Sequence, residues 1–446
     1  MVMFGFSGFL FFSAYGDGLA GETLPPESVG KGNVTLSINT SPTGSTDKQV
    51  AFQLYDSSTG QQVPDVTFLI EISKGGKNLY SHIFKEDQGT LLMTLVQINS
   101  SQTSLAEENK SVFGQIFGSN SDTVDILGPD FTAGLYKFHI EILSAYSYDP
   151  LPIPIKYDPK ISIPEYSTYT INDNSYGSQS VQIIGYYDQI KNFQYNAEKK
   201  SMNFVMPFDW SEDNINAVTV VHQEIQIPKT WGNFLASKYD AYINGIKLPD
   251  KTILIDDYSS DGRIIHLILY KESVMNLVKK QQNPKQEMDY SLLPSNKTSF
   301  PIIQFTRNAQ FKVSLSWDPP KIIAGSNTSF SFRILDPNLI NQTAGAVSYD
   351  FAVIANHNPI FQKSDVTSDS DIDNTINVPI PANATGPITI AFENLNGSSF
   401  AGAEFTSVVS NPTPIPEFPF SSLLVLFVIF VIVILFSNLT KFRIYS

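Results

Sequence analysis

Cysteine is missing from all 446 residues. Its absence excludes disulfides, thiolate metal sites and a cysteine nucleophile together, so packing and strand pairing must carry the fold. Charge is sparse: 16% of residues are Asp, Glu, Lys or Arg, and the formal net charge is −14. Without a basic face the chain is not expected to bind nucleic acid. Histidine is scarce too. The five are His82, His139, His222, His266 and His357, and no two have the i, i+4 or short-loop spacing of a zinc or copper site. Also absent are a Gly-x-Ser-x-Gly elbow, a His-Glu-x-x-His pair, a phosphate-binding loop and a dinucleotide fingerprint. Neither an enzyme nor a cofactor is expected.

Apolar residues reach 42% and aromatics 12%, enough for packed cores. Two greasy segments stand at the ends. From Phe420 to Phe436 every residue but Ser421 and Ser422 is apolar. At about 1.5 Å per residue this makes roughly 25 Å of helix, near the lower limit for a bilayer core. A buried core helix would show a polar stripe, and this run has none. Lys441 and Arg443 behind it point the tail into the cytoplasm and all that precedes it outside. The first apolar run, Met1–Phe12, precedes small residues around Ala20 and reads as a secretory signal, although no Lys or Arg comes before it.

Between the ends, alternation predicts strands. The reading is all-β: tandem immunoglobulin-like β-sandwiches, a β-rich middle domain and a single C-terminal transmembrane helix. The expected division is a signal peptide at 1–20, a sandwich at 30–150, the middle domain at 160–282, a linker at 283–307 and a second sandwich at 308–410. A proline-rich hinge at 411–419, the helix at 420–437 and a tail at 438–446 complete it. The two sandwiches read as copies. Val34–Ile38 resembles Val313–Trp317, Phe52–Asp56 resembles Phe332–Asp336, Val66–Ile72 resembles Val347–Val353, and Gly134–Phe138 resembles Gly386–Ile390. Prolines at 150, 152 and 154 suggest a connector before the middle domain, where Asn244-Gly245 predicts a hairpin and Glu272–Lys280 a helix.

Pro416-Glu417-Phe418-Pro419, the apolar run and the short basic tail resemble the PEF-CTERM class of archaeal sorting signals. That resemblance implies an archaeosortase, a membrane enzyme that cuts near the motif and passes the outer part to a lipid anchor. The tail departs from the pattern, carrying Asn438 and Tyr445 where a tighter Arg/Lys cluster is usual. Tyr186-Tyr187-Asp188, Met206–Trp210 and Val221–Glu224 resemble a domain of secreted proteins of ammonia-oxidising archaea. The likeness covers about a third of the chain and implies an address rather than a chemistry.

Candidate sites are few. His222 and Glu224 share one face of a strand and form a weak metal candidate, with a surface or half-buried histidine as the plainer reading. His139, between Lys137 and Glu141, reads as a solvated pair. Asp369–Asn374 has the opening rhythm of a calcium loop, but Ile380 stands where its closing glutamate belongs, so an acidic loop is expected. Asp256-Asp257 and Asp261-Gly262 read as a turn between strands. Asn-x-Ser/Thr glycan acceptors occur at Asn33, Asn39, Asn99, Asn109, Asn296, Asn327, Asn341, Asn383 and Asn396, with none between 150 and 290. The middle domain is thus expected to keep a bare face. The resulting expectation is an exported, membrane-anchored structural or adhesive component of an archaeal cell envelope, partnered by the membrane, an archaeosortase and other envelope proteins. The competing expectation is an extracytoplasmic solute- or metal-binding protein, with copper as the metal.

Overall fold

The computed structural model describes residues 21–412, apart from 31, 42–47, 100–102, 106–122, 258–259, 282–284, 340–341 and 369–372, together with 428–432. Signal peptide, sorting motif and tail therefore lie outside the described residues. So does the apolar run except for 428–432, which is helical with exposed side chains. Among the described residues no helix is long and apolar enough to cross a membrane.

The described chain is all-β, with short helices between strands. Three hydrophobic cores follow one another along it, each fed by two sheets. Alternation is the cause: Gly134–Ser144 buries Tyr136, Phe138, Ile140 and Ile142 and turns Lys137, His139 and Glu141 outward.

The first and last cores share a strand order. In one sheet Gly32–Ser41 lies beside Lys48–Asp56 and then Thr90–Gln97, as Lys312–Asp318 lies beside Asn327–Leu335 and then Asn374–Pro379. In the facing sheet Gly134–Ser144, Val66–Lys74 and Lys77–Glu86 correspond to Gly386–Glu393, Ser348–Ala355 and Asn358–Thr367. The four resembling sequence blocks occupy equivalent places in these orders. The first sheet extends further, with Thr123–Gly128 parallel to Thr90–Gln97 and Ser104–Leu105 beyond it.

The middle core lies between two five-stranded sheets. One runs Glu165–Asp173, Gly177–Gly185, Val220–Pro228, Gly262–Tyr270, Ile253–Asp256; the other runs Lys191–Asn196, Ser201–Pro207, Glu287–Pro294, Tyr239–Ile243, Ile246–Lys247. The Asn244-Gly245 hairpin forms as expected, both residues having positive φ. The helix spans Lys271–Lys280 and buries Val274 and Leu277.

Two connectors need correction. The stretch 283–307 is not a linker. Glu287–Pro294 is the central strand of the second middle sheet, with Met288, Tyr290 and Leu292 fully buried, and Ile302–Phe305 edges the last sandwich. Polar flanking residues hid its three-residue apolar alternation. Nor is the proline-rich segment after residue 150 free: Ile155–Tyr157 and Lys160–Ile163 both pair with Gly134–Ser144. Buried Pro164 alone separates that ladder from the first strand of the middle domain.

Candidate functional site

Val220–Pro228 alternates cleanly. Val221, Gln223, Ile225 and Ile227 point into the core; His222, Glu224 and Gln226 point out, half-buried. Gly262–Tyr270 runs antiparallel beside it in a register that sets Glu224 opposite His266 and His222 opposite Ile268. His222 and His266 are thus diagonal neighbours across the ladder, within reach of one another. His222 Nε2 lies 3.2 Å from His266 Nδ1. Glu224 Oε1 is 3.7 Å from the first of these nitrogens and 3.5 Å from the second. Tyr186, just past the end of Gly177–Gly185, stacks on the His222 ring at 4.7 Å and donates its hydroxyl to Glu224 Oε1 at 3.1 Å. Asp256 Oδ2 stands 3.8 Å from the far nitrogen of His266. The three converging side chains keep 15–20% of their surface open to solvent.

Charge is divided unevenly among these groups. Burial, followed by the neighbouring His266, pushes His222 down to about 4 despite Glu224. Burial opposes charge on His266 as well, but the neighbouring carboxylates of Asp256 and Glu224 overcome it and lift the imidazole to about 9. Glu224 is held below its ordinary value: burial works against this, and His266, His222 and Tyr186 outweigh it. Near neutrality His222 is therefore neutral, His266 is an imidazolium and Glu224 a carboxylate. His266 Nδ1 then donates and His222 Nε2 accepts.

The sequence pointed to His222 and Glu224 but not to His266, Tyr186 or Asp256. His266 is 44 residues away from His222, and only strand register brings it in. The usable signal was an outward histidine on each of two neighbouring apolar strands. His139 does sit in a solvated ion-pair cluster: its Nδ1 faces Asp158 at 3.1 Å and its Nε2 faces Glu141 at 3.2 Å, with Lys156 and Lys137 on the same carboxylates. Its carboxylates lie on opposite ring nitrogens and share no centre. His82 packs between Tyr80 and Phe84, and His357 occupies a positive-φ turn.

Asp256-Asp257 and Asp261-Gly262 do stand at the connection between two paired strands, and Asp257 does more than turn the chain there. Both Asp257 and Arg263 are 1% exposed and paired in two parallel bonds of 2.8 Å. Arg263 also donates to Ala236 O and Tyr239 Oη within the middle domain, and to Thr406 O of the last sandwich at 2.9 Å. Asp257 accepts from the backbone N–H and hydroxyl of Thr406 at 2.9 and 3.0 Å. Beside them Lys229 reaches Glu404 at 2.8 Å, and Arg307 bonds the same carboxylate. At the other junction Leu135 N–H donates to Tyr187 O at 3.0 Å, and Lys74 lies 3.9 Å from Asp188.

Of the calcium-like loop, Asp373 is described and pairs with Arg333; residues 369–372 lie outside the described residues. Among the glycan acceptors Asn33, Asn99, Asn296, Asn327, Asn383 and Asn396 are exposed and Asn39 is half-buried, while Asn109 and Asn341 lie outside the described residues.

No family model matches the chain, and no curated protein does. Among solved structures, Escherichia coli alpha-2-macroglobulin activated by porcine elastase is similar over 82% of this chain and 29% of its own, at 11% identity and a TM-score of 0.18. Salmonella alpha-2-macroglobulin reacted with methylamine is similar over 91% of this chain and 24% of its own, at 10% identity and a TM-score of 0.17. The chain spans less than a third of the length of either.

Proposed function

We propose that the chain is an exported cell-envelope protein whose immunoglobulin-like sandwiches form one stiff structural or adhesive arm. Residues 420–437, or a lipid that replaces them after cutting near Pro416–Pro419, hold its base in the membrane, and the exposed asparagine acceptors carry glycans. The apolar C-terminal run and its basic tail support the placement.

The sealed junctions carry the mechanical part of the reading. A buried ion pair of the middle domain that also hydrogen-bonds the backbone and hydroxyl of the next domain resists relative rotation, because turning the joint would leave those buried polar groups without partners. Arg263–Asp257–Thr406 forms such a joint at one end of the middle domain, and the Pro164 strand junction stands at the other.

Protease treatment of intact cells, followed by fractionation and mass spectrometry of the C-terminus, tests the placement. The ectodomain should be shaved off, and the mature end should lie near Glu417 or at Ser446. Recovery of the uncut chain from the cytosol overturns the proposal. Small-angle scattering of the ectodomain tests the arm, which should give one fixed elongated envelope rather than an ensemble.

A further inference from the structure

Three outward donors in the middle domain, drawn from two strands, converge on one another. His222 Nε2, His266 Nδ1 and Glu224 Oε1 form a triangle with sides of 3.2, 3.5 and 3.7 Å. A triangle of those sides has a centre about 2.0 Å from every corner, which is the length of a bond from zinc to imidazole nitrogen or carboxylate oxygen. The His139 cluster does not converge in this way, since its carboxylates sit on opposite ring nitrogens.

The surroundings fit as well. Asp256 faces the non-converging nitrogen of His266, the usual arrangement by which a carboxylate orients a metal-bound imidazole. Tyr186 closes one side by stacking on His222 and fixes Glu224 through its hydroxyl. The partial exposure of the three leaves room for a fourth ligand from solvent. All three sit on paired strands of one sheet, so their spacing is held by the ladder. Two imidazoles and one carboxylate suit zinc or copper(II), whereas calcium and magnesium require mostly oxygen.

We propose that His222, Glu224 and His266 form a three-ligand site for a divalent first-row transition ion, zinc or copper(II), in which Asp256 acts as a positioning residue. The ring centroids are 5.4 Å apart and the two nitrogens face each other almost head-on. Uptake of the ion therefore displaces the bridging proton to solvent and turns each ring so that its lone pair meets the metal. This site is independent of the envelope reading and of the junctions that support it.

The test uses the tag-free full ectodomain, stripped with chelator and titrated calorimetrically with zinc chloride and with copper(II) chloride. One equivalent of either should bind, copper more tightly, and the copper form should show electron-spin couplings to two nitrogens. Both His222→Ala and His266→Ala should abolish that equivalent, with circular dichroism unchanged. Asp256→Asn should keep one equivalent at about 10–100-fold lower affinity, and His139→Ala should change nothing. Lack of binding up to millimolar metal overturns the proposal, as does one-equivalent binding that survives the double histidine variant. Should a variant fail to fold, the unaltered protein still decides: copper bound without coupling to two nitrogens overturns the assignment.

Discussion

Arg263 and His266 lie three positions apart on the same strand, and the pleat sends them to opposite faces. Arg263 goes inward, is 1% exposed, and donates to Asp257, Ala236, Tyr239 and Thr406. His266 goes outward, keeps a fifth of its surface open, and meets His222 at 3.2 Å and Glu224 at 3.5 Å. The first cluster is buried and closed; the second is joined at the surface through a proton that a metal ion can replace. Buried polar groups that satisfy one another specify structure, whereas partly exposed donors gathered at the surface offer a place for a ligand.

The sharpest way to break this contrast is at the saturated end. Asp257→Ala should cost about 3–5 kcal/mol, because it leaves the Arg263 charge buried without its partner. Urea unfolding should show the loss, with the last sandwich released early to proteolysis near 295–301. Arg263→Met combined with Asp257→Leu should recover much of the stability. A cost below 1 kcal/mol for the single change would show that this joint carries no load.

A second saturated carboxylate sharpens the point by pH. Asp173 accepts from Trp231 Nε1 at 2.9 Å, from Asn233 Nδ2 at 3.0 Å, and from the backbone of Ser175 and Tyr176. Burial acts to raise it, and these bonds prevail and hold it down at about 2. A carboxyl depressed on folding stabilises the native state above its ordinary pKa, near 4, and that stability drains away as pH falls toward 2. Asp173→Ala should cost about 1–3 kcal/mol at neutral pH by leaving buried donors unpaired, and should flatten the acid limb of a thermal-melt series between pH 4 and 2.

Smaller effects belong to the open end. His266→Ala should cost the metal-free protein about 1–2 kcal/mol, since Glu224 and Asp256 lose their charged partner, and should remove the rise in melting temperature that zinc gives the unaltered chain. Smallest of all, His139→Ala should change stability by less than about 0.5 kcal/mol, as expected for an exposed ion-pair cluster, and a calorimetric scan should barely register it.

What the sequence disclosed follows the same division. Strand alternation is local, so the sandwich strands, the resembling blocks and the Asn244-Gly245 hairpin could be read directly. His222 and Glu224 were readable for that reason too, lying two apart on one strand. His266 and Asp257 were not, since their meaning depends on which strands pair and which domain packs alongside. Glu287–Pro294 was lost because a short central strand flanked by Gln, Lys and Pro has the composition of a loop; only its neighbours in the sheet show that Met288, Tyr290 and Leu292 face a core.

One residue, Pro164, stands between the Lys160–Ile163 ladder and the first strand of the middle domain. A hinge there would have to peel Lys160–Ile163 away from Gly134–Lys137. Movement of the first sandwich against the middle domain is therefore opposed on both sides of that one residue, by the ladder before it and by the Glu165–Asp173 pairing after it.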